Sequence, residues 1–513
     1  MKRRILERVR FELNHDRALS FCFDAFSSRE PVSTSLENAL GMAFMAIAAP
    51  VDVGRLIEEQ TFGRFQIGLL FWICAFMFID GYDMQVVGYA APAIIKAWHS
   101  DKAAFGTVFG AGLVGFMLGA TLLGNLGDRF GRKIMIVTGA LLFGAFTLAC
   151  AFAQDLTSLL VLRAIAGIGL GGSIPNAIAL MTEYAPSRVR ATRVGIMFIG
   201  YSIGSALGGV IAAQLIPAYG WPSVFVIGGV LPIILASALA FTLPESARFL
   251  MLRRDRTDLM LPLLRRVRPD LDLPIGTLLV VQETKQDNMP VKQLFTGGRG
   301  PMTLLLWLGY AANMVSLHFL TSWLPTVVAE SGVPLAHAVM ATALLQAGGA
   351  VGSLVVGSLV DRIGPIGIVA AFLVAVPCVA GLGHVGTDET PLMLLVTIAG
   401  LCVIGGQVGI NALAGTLYPT YMRSTGTGWA FGIGRLGSIL GPMIGGHLIA
   451  FGLSLDVLFA TAAVPIFVSA TALFCMGRLP IVRNRVMDNK TSDTKTSDNK
   501  ASQLAVASQG HRQ

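Results

Sequence analysis

The sequence predicts an all-α membrane protein: twelve transmembrane helices in two parallel six-helix repeats. Three observations lead there, namely the scarcity of charge, the spacing of long apolar runs and an internal repeat at one fixed offset. Of 513 residues, 54% are hydrophobic and 13% charged, against about 25% charged in soluble domains. So few charges cannot cover a water-exposed surface, which argues against a multi-domain soluble enzyme. A membrane helix needs about 20 largely apolar residues, and twelve such spans with their connections fit this length. Glycine is abundant, at 59 residues, as suits helices that approach closely in lipid.

The apolar runs fall at 65–95, 104–127, 133–153, 156–181, 191–217 and 222–243, then at 301–329, 336–360, 365–384, 391–417, 424–451 and 455–477. The resulting plan is a polar leader (1–60), an N-terminal six-helix bundle (61–243), a central loop (244–300), a C-terminal six-helix bundle (301–477) and a tail (478–513). The central loop carries Arg248, Arg253, Arg254, Arg256, Arg265, Arg266 and Arg268. Arginine gathers in alternate connections: Arg129 and Arg132 with Lys133, then Arg188, Arg190 and Arg193, then Arg362, then Arg423 and the tail. The opposite loops offer Lys96 and Lys102. Basic residues mark cytoplasmic loops, so both termini are placed in the cytoplasm. The net charge of +8 therefore reports topology, and no nucleic-acid partner is expected.

The repeat is read from Gly124-Asn125-Leu126-Gly127-Asp128-Arg129-Phe130-Gly131, which recurs as Gly357-Ser358-Leu359-Val360-Asp361-Arg362-Ile363-Gly364, an offset of 233. The same offset maps Pro186 onto Pro419, Arg190 onto Arg423, Gly204 onto Gly437 and Gly208 onto Gly441. Six spans return the chain to its starting side, so the halves are parallel repeats. Transporters built this way hold their substrate near the midplane between the halves.

The two ends stand apart from this plan. The tail repeats Asp488/Lys490, Asp493/Lys495 and Asp498/Lys500 among Thr, Ser and Asn, a composition expected to be disordered. The leader suggests an over-extended start, with Met42 or Met45 as the true first residue; a cytoplasmic amphipathic extension is the alternative. Six cysteines lie far apart without a C-x-x-C pair, so neither a disulfide framework nor a metal site is expected, and no cofactor is implied.

Chemistry is read from polar residues inside apolar spans. Asp80 and Asp83 lie three apart in the first span, with Gly81 between them, and a charge at the bilayer centre costs about 2.5–3.5 kcal/mol. Two carboxyls on roughly one helix face cannot both stay ionised cheaply, so the pair is expected to hold a proton and couple transport to it. Local capping at a helix end is the competing reading. The fourth span carries Arg163 near its start and, at its end, Glu183, a third candidate for proton coupling. Arg163 is a candidate for substrate binding and a candidate partner for either aspartate, or a residue reaching to the interface. Between them, Gly167-x-Gly169-x-x-Gly172 imitates a dinucleotide fingerprint but follows no strand, so close packing and a kink at Pro175 are expected instead.

In the eleventh span Arg435 lies deep enough to clamp a carboxylate bidentately, with an internal ion pair as the alternative. His447 lies three turns further on, and His318 sits near Asn313, which aligns with Asp80 at the 233 offset. Either histidine is a candidate for substrate binding or proton relay, or a packed side chain. Gln346, Gln407 and Asn411 are candidates to line the site or to bond helix to helix. Among Tyr82, Phe198, Tyr201, Tyr310, Phe319 and Trp323, one or two are expected to stack on a ring. The charged loop residues Asp128, Arg129 and Arg132, and their echo Asp361 and Arg362 with Arg423, read as a conformational latch at the cytoplasmic helix ends. Pro365 stands where the first half has Arg132, so the second latch is expected to be weaker.

With these residues assembled, the chain resembles the major facilitator superfamily from about residue 65 to 477, through the loop motif and its echo. Asp80-Gly81-Tyr82-Asp83, the stretch from Arg163 to Glu183, and Pro419 with Arg423 and Arg435 are similar to the aromatic acid:proton symporter branch. The resemblance implies the major facilitator fold, no enzymatic activity and residence in a bacterial inner membrane. It implies import of a benzoate, hydroxybenzoate or protocatechuate type of aromatic carboxylate, with protons and the lipid bilayer as partners and a monomer as the working unit. It attaches importance to Asp80, Asp83, Asp128, Arg163, Glu183, Arg423 and Arg435. A proton-driven exporter and a carrier of non-aromatic organic acids are the competing functions.

Overall fold

The computed structural model describes residues 51–52, 56, 58, 63–252, 260–267, 279–280, 291–418 and 422–483. The expected leader with Met42 and Met45, much of the central loop, and the tail from 484 onward lie outside the described residues. Among them run twelve long helices. The first six are α1 (Arg64–Trp98), α2 (Lys102–Phe130), α3 (Arg132–Cys150), α4 (Leu156–Tyr184), α5 (Ser187–Tyr219) and α6 (Pro222–Thr242). The second six are α7 (Gly300–Glu330), α8 (Leu335–Ile363), α9 (Pro365–Gly381), α10 (Glu389–Leu417), α11 (Arg423–Ala450) and α12 (Leu455–Gly477). Eleven of these contain segments long and apolar enough to cross a membrane. The other, α11, has 28 residues, and its sequence is diluted by glycine, Arg435 and His447.

Helix ends follow local chemistry. Asp101 caps α2 by accepting from Ala104 N at 3.1 Å, and Asp155 caps α4 by accepting from Ser158 N at 2.7 Å. Each satisfies a backbone donor that the first turn leaves over. At the turn between α2 and α3, Gly131 adopts φ +105°, and its repeat mate Gly364 adopts φ +69° between α8 and α9. Both breaks need a residue without a Cβ penalty.

The 233 offset seen in sequence reappears in packing. The α2–α4 pair is matched by α8–α10, and the α1–α5 pair by α7–α11. Gly119 lies against the Ile168 backbone as Gly352 lies against Leu401, and Gly204 lies against Phe78 as Gly437 lies against Ala311. A side chain at any of these four glycines would strike the facing backbone, so small residues set how closely the helices approach. The halves meet through α5 against α8, α2 against α11, and α1 against α7.

In the central segment the described residues form two short α-helices, Ala247–Leu252 and Met260–Val267, and a 3₁₀ helix, Val291–Phe295. A second, separate unit is described by a two-residue parallel pair, β1 (Val51–Asp52) with β2 (Leu279–Val280), Val51 facing Leu279.

Candidate functional site

Polar side chains inside the helical unit sort into four groups along the helix axes. The first lies about midway, between the halves. Asp80 is fully buried on α1, and among the described residues neither carboxyl oxygen has a hydrogen-bond partner. Arg435 on α11 is half-buried, with its guanidinium 4.2 Å from the ring centroid of Phe116 on α2. That is cation–π geometry across the two halves. Its charge acts on Asp80, Tyr201 of α5, and Tyr310 and His318 of α7. Among the described residues, no carboxylate lies within ion-pair distance of Arg435. Tyr310 lies beside Gln407 of α10. Gln407 Oε1 accepts from Asn313 Nδ2 at 2.8 Å, and Gln407 Nε2 donates to Asn411 Oδ1 at 3.2 Å. His318 is half-buried, with Nδ1 3.1 Å from Met314 O on its own helix.

The second group lies inside the N-terminal half. Arg163 of α4 grips Asp83 bidentately, Nη1 to Oδ1 at 3.0 Å and Nη2 to Oδ2 at 3.1 Å. Thr147 of α3 adds a hydroxyl donor to Oδ1 at 2.7 Å. The two partners are 0% and 5% exposed, so the pair is a buried, fully bonded bridge joining α1, α3 and α4. The two aspartates therefore part: Asp83 turns into its own half, while Asp80 stands under the Arg435 charge. Between them, at Gly81, α1 meets the Tyr201 backbone of α5, where no Cβ fits.

The third group is at the arginine-bearing end. Arg132 pairs with Glu183 at 2.5 Å and with Asp128 at 3.5 Å. Glu183, expected to serve proton coupling, thus lies with Arg132 at this end and far along α4 from Asp80. Glu245, which sequence reading passed over, accepts from Lys133 N at 3.1 Å and Ser246 N at 2.8 Å. Tyr184 donates to the Glu245 carbonyl at 2.5 Å. Arg129 is exposed and lies 5.5 Å from the Phe130 ring. In the second half Arg362 is exposed, whereas the side chains of Asp361 and Arg423 lie outside the described residues.

The fourth group closes the lysine-bearing end. Lys102 of α2 meets Glu330 of α7 at 2.7 Å. Trp323 of α7 packs edge-on against Phe105 and Phe109 of α2, at 6.4 and 5.3 Å between centroids. Its indole N–H donates to Pro442 O at 2.7 Å. Glu330 is again missing from the sequence reading, although an acid closing the helix opposite Lys102 was a legible signal. At the arginine-bearing end the same interface helices present exposed Leu122, Ile203, Leu354 and Phe431. His447 is exposed, with Nδ1 2.9 Å from Met443 O, and is not brought to Arg435. Gln346 is buried on α8. Among the described residues, no group of three or more His, Cys, Asp or Glu is placed to hold a metal ion.

Two pseudo-symmetric six-helix halves, with, between them, a buried acid and a cation that has no carboxylate partner among the described residues, define a multi-pass membrane carrier. The model of the Major Facilitator Superfamily matches residues 71–442, and the chain belongs to that family, as a transporter and not an enzyme. Relatives that align along most of its length include transporters named for aromatic acids. The chain is 39% identical to a 4-hydroxybenzoate transporter of Pseudomonas putida, over 85% of this chain and 98% of that one. It is 38% identical to a gallate transporter of the same species, over 84% and 96%. It is also 29% identical to a benzoate transport protein of Acinetobacter baylyi, over 83% and 92%. Among solved structures, a bacterial homologue of the human lysosomal transporter Spinster superposes with TM-score 0.65 at 19% identity, covering 82% of this chain and 98% of that one. The nucleoside transporter NupG gives TM-score 0.61 at 13% identity, over 80% and 100%. These two likenesses speak for the fold.

Proposed function

We propose that the protein imports an aromatic carboxylate of the benzoate, hydroxybenzoate or protocatechuate type across a bacterial inner membrane together with a proton, by alternating access. The observation that carries this reading is the midplane set: among the described residues, a buried carboxyl without hydrogen-bond partners at Asp80, under the field of a guanidinium without a carboxylate partner at Arg435. An ionised carboxylate buried without hydrogen bonds is costly, so Asp80 is the group to which the transported proton is assigned. Arg435 supplies the bidentate donor pair that a ring carboxylate accepts. Phe116, Tyr201 and Tyr310 offer faces for the ring, and the Asn313–Gln407–Asn411 chain offers donors and acceptors for ring hydroxyls. The names of the relatives support the aromatic class.

The cycle follows from charge. With Arg435 bare and Asp80 ionised, opening and closing moves an internal pair that cancels. With substrate on Arg435 and a proton on Asp80, the sum again cancels, so both the empty and the doubly loaded carrier reorient. Loading either partner alone leaves one uncompensated charge in a low dielectric, which opposes reorientation. One proton with one monoanion moves no net charge, whereas a second proton would add about 2.3 kcal/mol per 100 mV. By the basic-loop rule the arginine-bearing end is cytoplasmic, so this state is closed to the outside, and both termini lie inside. In this scheme Arg132, Asp128 and Glu183 fasten the cytoplasmic ends of α2, α3 and α4, and the Asp83–Arg163 bridge keeps the first half rigid.

The test is uptake of labelled 4-hydroxybenzoate into proteoliposomes under an imposed pH gradient, acid outside. Wild type accumulates the label and loses it on addition of an uncoupler. Asp80→Asn retains exchange of label against unlabelled substrate but no longer accumulates it. Undiminished gradient-driven accumulation in Asp80→Asn overturns the reading.

A further inference from the structure

At the lysine-bearing end, outside the closure made by Lys102, Glu330 and Trp323, lies a cavity of about 410 Å³ between α1, α7 and the start of α8. Ligand pockets run from about 300 to 1,000 Å³, so it is large enough for one ring acid. Three of its features favour an anion. Lys96 lines it and, among the described residues, has no ion-pair partner. Thr326 lines it, is 1% exposed, and its hydroxyl is buried without a partner. Leu335 lines it as the first residue of α8, whose N-cap Pro334 supplies no side-chain cap. His337 N and Ala338 N of that first turn donate to Pro334 O at 2.9 and 3.0 Å, while Leu335 N and Ala336 N, with no side-chain cap, are left as donors in a positive dipole field.

One acid, Glu330, also lines the cavity, but its charge is taken by Lys102 at 2.7 Å. The net local charge is that of Lys96. Pro92, Ala329 and Val333 complete an apolar wall. A lone cation, a spare hydroxyl and an apolar wall match a carboxylate attached to a flat ring.

We propose that this cavity is a second, peripheral binding subsite for the transported aromatic carboxylate, on the outer face and separate from Arg435. The inference rests on the transport reading above. Its carboxylate is held by Lys96, Thr326 and the start of α8, which concentrates the acid at the outer mouth while the carrier is closed to that side.

The experiment is equilibrium binding of labelled 4-hydroxybenzoate to the full chain in phosphatidylcholine nanodiscs. Wild type binds two molecules per chain. Lys96→Gln and Thr326→Val each weaken one of these sites at least about tenfold, the size of a lost charged hydrogen bond, and leave the other intact. Lys96→Arg retains both, and Arg435→Gln removes the other site alone. A single site in wild type that disappears in Arg435→Gln overturns this inference and leaves the transport reading standing. Absence of any binding removes both readings. An anionic lipid is the rival occupant: if phosphatidylglycerol shields Lys96 from acylation and 4-hydroxybenzoate does not, the subsite belongs to lipid and the proposal fails.

Discussion

Removing one partner of the Asp83–Arg163 bridge tests the division of labour between the two aspartates. In Arg163→Gln, a carboxylate with 0% exposure loses two guanidinium bonds of 3.0 and 3.1 Å and keeps the Thr147 hydroxyl at 2.7 Å. Breaking a buried pair from one side costs about 3–5 kcal/mol, because the other charge stays buried and uncompensated. Removing both charges avoids that penalty, and neutral replacement of a buried pair is often without net cost. The expected order of stability is therefore wild type close to the Asp83→Asn/Arg163→Gln double variant, with each single variant well below. Denaturant titration of the purified protein in detergent reads it, and the coupling between the two positions is the departure from additivity. The same double variant should still accumulate 4-hydroxybenzoate under a pH gradient, since the proton is assigned to Asp80. If the double variant is as unstable as the singles, the bridge is not the isolated pair its geometry describes. If it folds but no longer couples to protons, Asp83 has a share in proton carriage.

Other expected outcomes follow from the remaining groups. Lys102→Gln breaks a pair whose partners are 29% and 43% exposed, worth about 0.2–1 kcal/mol. Spin-label distances across the lysine-bearing end should then show the open population rising by no more than about fivefold; no change in either Lys102→Gln or Glu330→Gln would remove the pair from the gate. Gly204→Leu places a side chain against the Phe78 backbone, and should abolish assembly of α1 on α5, read as loss of monodisperse protein in size-exclusion chromatography. Asp155, at the start of α4, has its carboxyl held below the usual range by the Ser158 backbone N–H. A depressed carboxyl stabilises the fold above its unfolded value of about 3.9 and loses that effect as pH falls through the folded value. Asp155→Ala should therefore unfold more readily than wild type at pH 7, with the gap closing in acid; a gap independent of pH would refute the cap.

Much of this architecture was legible because lipid imposes one rule on every span. Backbone groups must be bonded within the segment, so each long apolar run is a helix. The offset between Asp128 and Asp361 carried through to packing for a related reason: the same small residues at the same spacing produce the same helix approach, as with Gly204 on Phe78 and Gly437 on Ala311. Glu245 and Glu330 escaped notice because each works through a partner distant in sequence, Lys133 N in one case and Lys102 in the other. Glu183 was legible as a functional acid, yet its distance along α4 from the midplane places it with Arg132.

The sequence by itself determined how many helices there are, which ends carry arginine, and that an acid pair and a deep arginine sit in apolar surroundings. Only the tertiary structure decided which acid is spoken for. Two residues three apart on a helix point about 60° away from each other, and sequence cannot say which neighbouring helix fills each direction. Packing of α3 and α4 gave Asp83 its cation, and packing of α5 and α11 left Asp80 without a bond but within the field of Arg435.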